Sequence, residues 1–509
     1  MILAILLSAA AASASQGRLV VLVVVDQLRY QDLLWLEPQL GPKGFAGLGR
    51  PSPLRYETVV TETAADHAVL STGAYAELNG IVGNRYFDET GDHEAVDDPR
   101  CPVWGAPPLR GRSAAALRAP TVGDAFKLNT NGQGRVVSVS VKDRSALFLA
   151  GPSADLALWF DTESGQMVSS TCYAPGPPGW VPRDPAAPYR TWTWTMERPD
   201  VIAKLLPEPR ASGSVPRQDI GPEFPHKVGL GALDQRLYWA VRNSPASTTI
   251  ALQAARAAVK ALALGESGGT DHLALALSAV DGVGHQFGTL ARERVDTILR
   301  MHEELGAFLD ELRARLGPRL SVVLTADHGL TPTAADEQRM RVVQGGTEDI
   351  DQLIPKLEKA ISEVLGPRDP HWVATIDGSS LFLRPPYPPR AVQVAAEALR
   401  REPGFWQVLT ADEIATAAPA VRHAYFPGRS GQVLLVPRPL WTLKKRDDAA
   451  DHGSPWNDDA LVPLLVHVPG FRLRHDGIFR ATQVAPTVAA LLDTSPPAAA
   501  MDLPAIEHE

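Results

Sequence analysis

Residues 19–26, LVVLVVVD, decide the fold of this chain. Such a run of valine and leucine predicts a strand that is buried on both faces, as in a parallel sheet. Two further stretches, HLALALSAVDGVGH at 272–285 and VVLTADHG at 322–329, also lead from an apolar run to aspartate and histidine. Helical periodicity next to these strands, at 247–265 and 292–317, gives the alternation of an α/β protein. The sequence therefore predicts a three-layer α/β/α sandwich around a mostly parallel sheet, with inserted cap segments.

The apolar runs place acidic and histidine side chains at one edge of the predicted sheet. In an open α/β sheet, ligands bind in the crevice beyond the carboxyl ends of the strands. Because the candidate residues are scattered from Asp26 to His452, nearly the whole chain must contribute to one site. We predict a single catalytic domain over 15–509. A Pro-, Gly- and Trp-rich cap is expected as an insertion at about 145–227, and a small α+β subdomain at about 345–427.

The N-terminus, the charge and the cysteines bear on where the protein works. Residues 1–14 are apolar and end in the small-residue motif ASA, which predicts a secretory signal cleaved after Ala14 and a periplasmic or secreted protein. The alternative is a buried first strand, because no Lys or Arg precedes the apolar run. No segment predicts a membrane span, and the net charge of −9 argues against binding to a nucleic-acid duplex. Cys101 and Cys172 form either one disulfide or two unrelated buried thiols.

Three aspartates and three histidines are the candidate metal ligands. They are Asp26, Asp281, His285, Asp327, His328 and His452. Zinc favours imidazole nitrogen and carboxylate oxygen, and six such residues are enough for two ions. A Gly-rich loop after the second strand would let Asp281 and His285 reach the same ion. Any one of these positions is more often a helix cap or an ordinary histidine, so the prediction rests on their joint placement.

Thr63 is the candidate nucleophile. It stands where TAADHAVLSTG should begin a helix, so its ordinary role would be an N-cap. Coordination to a divalent ion is one of the few ways to present a threonine alcohol as an alkoxide, and a helix N-terminus favours the developing negative charge. His67, one turn later, is expected to pack or hydrogen-bond within the helix rather than bind metal.

Lys142, Arg144 and Asn84 are the candidate phosphate-binding residues. Lys142 and Arg144 follow the strand-like run RVVSVSV, where strand alternation would point both to one side and Asp143 away. Arginine offers a planar fork for phosphate oxygens, and lysine offers a point charge. Asn84, in GIVGN, could donate an amide hydrogen bond to a further oxygen. The alternatives are a solvated strand end and an ordinary turn asparagine.

Seven motifs, in this order, resemble those of the alkaline phosphatase superfamily: VVVDQLR, TETAADHAVLSTG, NGIVGNRYFD, SVKDR, AVDGVGHQFG, TADHG and DHGSPWNDD. The resemblance is closest to the threonine-nucleophile bacterial alkaline phosphatases of the phosphate-irrepressible type. It implies one zinc ion bound by Asp281, His285 and His452. It implies a second bound by Asp26, Asp327, His328 and Thr63, with the phosphate held by Asn84, Lys142 and Arg144. One departure is Ala65-Asp66, where relatives often carry Gly or Asn beside the motif histidine.

The resemblance implies a hydrolase of small-molecule phosphate monoesters. Such an enzyme would use two Zn²⁺ ions, pass through a phosphothreonine intermediate and release inorganic phosphate, and we expect a monomer. The related nucleotide pyrophosphatases and phosphodiesterases share the metal residues and the threonine but lack the SVKDR-type pair, so a diesterase is the alternative. The sulfatase branch requires C-x-P-x-R, which neither Cys101 nor Cys172 supplies. A catalytically inactive metal-binding module is the third possibility.

Overall fold

A nine-stranded sheet is the centre of the fold. The computed structural model describes residues 17–88, 90–107, 110–207, 220–333, 336–337, 345–444 and 449–509, so the predicted signal at 1–14 lies outside the described residues. In chain order the strands of the sheet, β1 to β9, are Arg18–Val25, Ser52–Arg55, Val136–Val139, Leu156–Phe160, Met167–Val168, Thr270–Leu277, Leu320–Thr325, Leu461–His467 and Phe479–Arg480. Across the sheet their order is β9-β2-β8-β7-β1-β6-β3-β4-β5.

The middle of the sheet is parallel. Strands β7, β1, β6, β3 and β4 run in the same direction. Antiparallel pairs lie toward the edges, at β2/β8, β8/β7 and β4/β5. All residues of β1 after Arg18 are buried, as an uninterrupted apolar run requires of a strand covered on both faces. The prediction of a mostly parallel sheet is confirmed.

The register of the three central strands brings their carboxyl ends together. Val25 of β1 pairs with Leu277 of β6, and Val24 of β1 pairs with Thr325 of β7. Parallel strands in this register finish along one line, so the segments that follow them meet at the same edge. Asp26 and the segments after β6 and β7 therefore lie side by side.

Helices form the two outer layers. One layer consists of Thr63–Thr72, Val122–Asn129, Asp143–Ala150 and Val484–Leu491. The other consists of Ala246–Ala261, Ala279–Phe287 and Arg292–Leu316, with Tyr30–Leu36 and Gln235–Arg242 beside them. Both layers share one continuous apolar core with the sheet, which confirms the α/β/α sandwich. Small two-stranded pairs surround it: Arg85–Asp88 with Gly91–Glu94, Asp97–Pro102 with Gly111–Arg112, Thr193–Trp194 with His226–Lys227, and Phe471–Leu473 with Ile506–His508.

The segment predicted as a cap at about 145–227 differs from the prediction at its start. Its first residues complete the helix Asp143–Ala150, and strands β4 and β5 follow at one edge of the central sheet. The run LALWF of β4 is entirely buried, but its surrounding glycines and prolines concealed a sheet strand in the sequence. The Trp-rich part packs onto the main core, where buried Trp194 donates from Nε1 to Asp296 of the long helix at 2.7 Å.

The segment predicted as a small subdomain at about 345–427 has its own apolar core. Helices Ile350–Leu365 and Pro389–Leu399 pack on an antiparallel sheet made of Val373–Asp377, Ser380–Leu383, Val433–Pro437 and Phe405–Thr410. The unit reaches beyond residue 427, because Val433–Pro437 is an inner strand of that sheet. HWVATIDGSSLFL, predicted as one strand, is a hairpin, because Gly378 adopts a φ of +50° and turns the chain.

Cys101 and Cys172 are joined by a disulfide, with Cα atoms 5.2 Å apart. The bridge connects the strand Asp97–Pro102 to the segment after β5. Of the two alternatives that the sequence leaves open, the structure contains the single bridge. Among the described residues, no helix has the length and apolar character needed to cross a membrane.

Candidate active site

A polar cavity of about 170 Å³ opens at the carboxyl edge of the sheet. It is lined by seven of the candidate residues, namely Thr63, Asn84, Lys142, Arg144, Asp281, His285 and His452. The other three, Asp26, Asp327 and His328, are fully buried next to it. Among the described residues, the outer wall comes from the second insertion, through Ile350, Ile376, Asp377, Gly378 and Leu443. None of the described residues from about 145–227 lines the cavity.

Asp281, His285 and His452 are the first predicted ligand group, and in the structure Asp281 groups with His328 and His452 while His285 groups with Asp451 and His452. Asp281 and His285 lie one turn apart on the helix Ala279–Phe287, so the predicted Gly-rich loop is a helix instead. The i, i+4 spacing puts both side chains on one face. Oδ1 of Asp281 is 3.2 Å from Nε2 of His285 and 4.0 Å from Nε2 of His452.

Asp26, Asp327 and His328 form the second group, beside Thr63. Nε2 of His328 is 3.6 Å from Oδ1 of Asp26, 3.5 Å from Oδ2 of Asp327 and 3.5 Å from Oγ1 of Thr63. The rings of His328 and His452 stack with their centroids 3.6 Å apart, so the two groups adjoin. The structure thus brings all seven proposed ligands to one place.

The three histidines are oriented as metal ligands would be. In each ring Nδ1 faces a backbone carbonyl: Ala450 for His285, Gly329 for His328 and Thr61 for His452, at 3.0, 3.0 and 2.7 Å. Because a carbonyl oxygen only accepts, each Nδ1 must donate, and this leaves the Nε2 lone pair directed at the carboxylates. Burial and the neighbouring His328 and His285 hold the pKa of His452 well below its ordinary value, which keeps that ring neutral.

Negative charge at the site exceeds the positive charge that the chain supplies. Burial, then Asp281 and Asp327, raise the pKa of Asp26 to about 7 although Lys142 opposes them. Burial also acts against ionisation of Asp281, but Lys142 and His285 outweigh it and hold its pKa well below the usual range. One ammonium, Lys142 Nζ, faces both carboxylates at 2.5 and 2.6 Å. Clustered carboxylates and neutral imidazoles fit divalent cations, and zinc among them.

The Thr63 hydroxyl lies at the cavity wall, next to Lys142 and His328. Thr63 is the first residue of the helix Thr63–Thr72, whose N-cap is Glu62, so the ordinary capping role does not apply. Its Oγ1 is 3.4 Å from Lys142 Nζ. His67 Nδ1 donates to the Thr63 carbonyl at 2.7 Å and lies 3.3 Å from Oδ2 of Asp327, which confirms its expected bond within the helix.

The three phosphate-binding candidates share the cavity wall with Thr63. Lys142 is the N-cap of the helix Asp143–Ala150 and Arg144 lies in its first turn, so a helix start, rather than strand alternation, sets their direction. Strand β3 ends at Val139, because the chain leaves the sheet edge and turns into that helix. Asn84 Oδ1 accepts the Ala64 backbone N–H at 3.0 Å, which leaves the Asn84 amide hydrogens available to a ligand.

Three acidic residues of the cavity, Glu62, Asp377 and Asp451, were missed in the sequence. Asp451 groups with His285 and His452 as a possible ligand set. Its signal was present, because the tetrapeptide ADHG at 326–329 recurs at 450–453. Glu62 accepts the Asn84 backbone N–H at 2.8 Å, and burial, then Asp377, raise its pKa to about 8. Only its position beside Thr63 could have indicated it.

The fold and the site define a class of protein. The solved structure of the alkaline phosphatase PafA superposes with a TM-score of 0.84 at 24% identity, covering 96% of this chain and 98% of that chain. The murine ectonucleotide pyrophosphatase/phosphodiesterase 5 superposes with a TM-score of 0.53 at 14% identity, covering 94% and 95%. The chain shares the fold of these two proteins.

Sequence comparison gives the family. The family model described as type I phosphodiesterase / nucleotide pyrophosphatase matches residues 20–455, and the chain belongs to this family. The alkaline phosphatase PhoK of Sphingomonas sp is 30% identical, over 94% of this chain and 89% of that protein. The alkaline phosphatase PafA of Elizabethkingia meningoseptica is 27% identical, over 96% and 94%. The resemblance seen in the motifs is confirmed, and the chain is an enzyme of the alkaline phosphatase type.

Proposed function

We propose that the protein hydrolyses phosphate monoesters through a phosphothreonine at Thr63 and releases inorganic phosphate. The observation that carries the proposal is the position of the Thr63 hydroxyl. It is buried at the cavity wall, 3.4 Å from Lys142 Nζ and 3.5 Å from His328 Nε2. An alcohol in contact with a cation and a possible metal ligand, at a helix N-terminus, is placed as an activated nucleophile would be.

Three side chains would bind the phosphoryl group. Arg144 offers a guanidinium fork, Lys142 a point charge and Asn84 its amide hydrogens. Together they suit the dianionic phosphoryl group of a monoester. The Thr63 hydroxyl would lose its proton to water and its oxygen would bond to phosphorus, as the leaving oxygen departs and takes up a proton from water. Water would then cleave the Thr63–phosphorus bond, which returns the alcohol and yields inorganic phosphate.

Two zinc ions are part of the proposal. One would be held by Asp281, His285 and His452, and the other by Asp26, Asp327, His328 and Thr63. Bound zinc would withdraw charge from phosphoryl oxygens and lower the pKa of a bound alcohol or water. The support is the Nε2 direction of the histidines, together with Oδ1 of Asp26, which is buried and has no hydrogen-bond partner among the described residues.

A diesterase is the second candidate, because the matching family model is that of phosphodiesterases and nucleotide pyrophosphatases. The Lys142 and Arg144 pair favours a monoester, since a diester presents fewer charged oxygens to these cations. The two functions are separated by initial rates of the zinc-loaded protein on an aryl phosphate and on its methyl diester. A zinc-loaded sample inert toward both would favour the inactive metal-binding module.

The nucleophile is tested with Thr63→Ala. Wild-type protein quenched in acid during turnover should show added phosphate on the Thr63 peptide by mass spectrometry, whereas the variant should show none and should lose hydrolysis. Thr63→Ser keeps an alcohol and should keep the adduct. Undiminished turnover by Thr63→Ala would exclude the proposed mechanism.

Location and assembly are also part of the proposal. We propose removal of residues 1–14 as a signal, a periplasmic or secreted location, and a monomer with two insertions in one catalytic domain. The Cys101–Cys172 bridge supports export, because disulfides persist in oxidising compartments. N-terminal sequencing of the exported protein and light scattering test these points.

A further inference from the structure

Gln27 has a backbone conformation that is unusual for its residue type. It directly follows Asp26 at the end of β1 and is fully buried, with a φ of +68°. The left-handed region is unfavourable for a residue with a Cβ atom. Arg294 holds it there, because its Nη2 donates to the Gln27 carbonyl at 2.8 Å and pairs with Asp32 at 2.7 Å.

This conformation lets Gln27 donate to one carboxylate of each ligand group. Its backbone N–H donates to Oδ1 of Asp327 at 3.0 Å. Its side-chain Nε2 donates to Oδ1 of Asp281 at 3.1 Å. One residue therefore contacts both proposed metal sites without carrying charge into them.

Gly284 provides the space for this contact. It lies on the helix between Asp281 and His285, and a Cβ at Gly284 would come within 1.8 Å of Gln27 Oε1. Because Oε1 and Nε2 belong to one amide group, a shift of Oε1 away from Gly284 would also move Nε2 relative to Asp281. Among the described residues, Gln27 Oε1 has no hydrogen-bond partner although it is buried, so this amide makes its hydrogen bond through Nε2.

We infer that Gln27 is a positioning residue that fixes the orientation of Asp281 relative to Asp327, and that Gly284 is required to admit it. The inference rests on the proposed function through the assignment of these two aspartates to adjacent metal sites. Hydrogen-bond partners of metal ligands typically contribute about 10- to 100-fold to metal affinity. Gln27 should therefore affect metal binding before it affects the fold.

Gln27→Asn tests the inference, since asparagine tolerates the left-handed region but is one methylene too short to reach Asp281. Zinc affinity of the full chain is measured by chelator competition, and the Tm of the metal-free protein reports the fold. We expect weaker zinc binding, by about 10- to 100-fold at one site, with little change in Tm. Gln286→Asn is the matched control, because Gln286 Nε2 donates to the Gly282 carbonyl, and it should keep zinc affinity within about twofold.

Gly284→Ala gives an independent test. Alone it should weaken zinc binding as Gln27→Asn does, while alanine's higher helix propensity protects the fold. Added to Gln27→Gly, which removes the side chain, it should have little further effect. The inference would be overturned if Gln27→Asn kept the zinc affinity of the wild type, or if the losses of affinity added in the double variant. Either result would leave the proposed function untouched. If the wild-type protein bound no zinc, both this inference and the proposed metal sites would be refuted. If zinc bound and the effects of the two substitutions were coupled, but no phosphoester was hydrolysed, only the proposed reaction would be refuted.

Discussion

Replacing Arg144 with alanine should separate monoester from diester hydrolysis. Arg144 lines the cavity from the first turn of its helix, and its Nε is buried without a hydrogen-bond partner among the described residues. Its guanidinium is therefore placed where a ligand in the cavity could reach it. Lys142 is a less informative target, because its ammonium pairs with Asp26 and Asp281 and its loss would disturb proposed metal ligands.

The size of the effect follows from the hydrogen bonds at stake. A bidentate arginine makes two charge-assisted hydrogen bonds to a dianionic phosphoryl group, each contributing about 1.5 kcal/mol. Loss of about 3 kcal/mol lowers kcat/KM roughly 150-fold. A diester has a single negative charge, so Arg144→Ala removes only one such hydrogen bond and lowers kcat/KM for the diester about tenfold. Arg144→Ala should thus lower the monoester-to-diester preference by about tenfold.

The assay compares kcat/KM of the zinc-loaded variants on an aryl phosphate and on its methyl diester at one pH and salt concentration. Arg100→Ala is the matched control, because the Arg100 side chain is 80% exposed and pairs with Asp98 away from the cavity. Equal losses on both substrates in Arg144→Ala would refute the assignment and favour the diesterase.

Three further predictions concern the metals, the pH dependence and the disulfide. Removing divalent metal with a chelator should abolish hydrolysis and zinc should restore it, and activity in protein that elemental analysis finds free of metal would contradict the two-metal site. In the metal-free protein the pKa of Asp26 is about 7 against an ordinary 3.8, so the folded state binds the Asp26 proton more tightly than the unfolded state does. Asp26 therefore lowers the free energy of unfolding as the pH rises between these two pKa values. Asp26→Asn does not ionise, so its Tm relative to the metal-free wild type should increase between pH 4 and 7, and a difference independent of pH would argue against the shift. Cys101→Ser should lower the free energy of unfolding by about 2–4 kcal/mol in denaturant titrations, because the bridge closes a long loop; an unchanged midpoint would mean that the bridge does not form in solution.

The parallel centre of the sheet could be predicted because its strands are buried on both faces. The run before Asp26, like those before Asp281 and Asp327, has few polar residues, which excludes a surface strand. Strand ends that carry aspartate or histidine then indicate one shared edge. The strand LALWF was missed because it is short and lies between prolines and glycines, so local composition outweighed its burial.

The local conformation around several site residues could not be predicted. Lys142 and Arg144 reach the cavity from a helix start, and Asp281 and His285 do so from a helix turn. Spacings of two and four residues are compatible with several backbone conformations that place both side chains on one side. These residues were therefore identified from the chemistry of their side chains and not from their predicted secondary structure. Asp451 was missed although it repeats the ADHG pattern of Asp327.

The sequence alone determined the layers of the fold, the identity of the candidate ligands and the threonine beside them, because burial periodicity and residue chemistry are local properties of the chain. Only the tertiary structure decided which Nε2 atoms face which carboxylates, that Gln27 contacts both ligand groups, and that the second insertion lines the cavity. These features depend on contacts between residues hundreds of positions apart, and distance along the chain carries no information about such contacts until the sheet register brings them together.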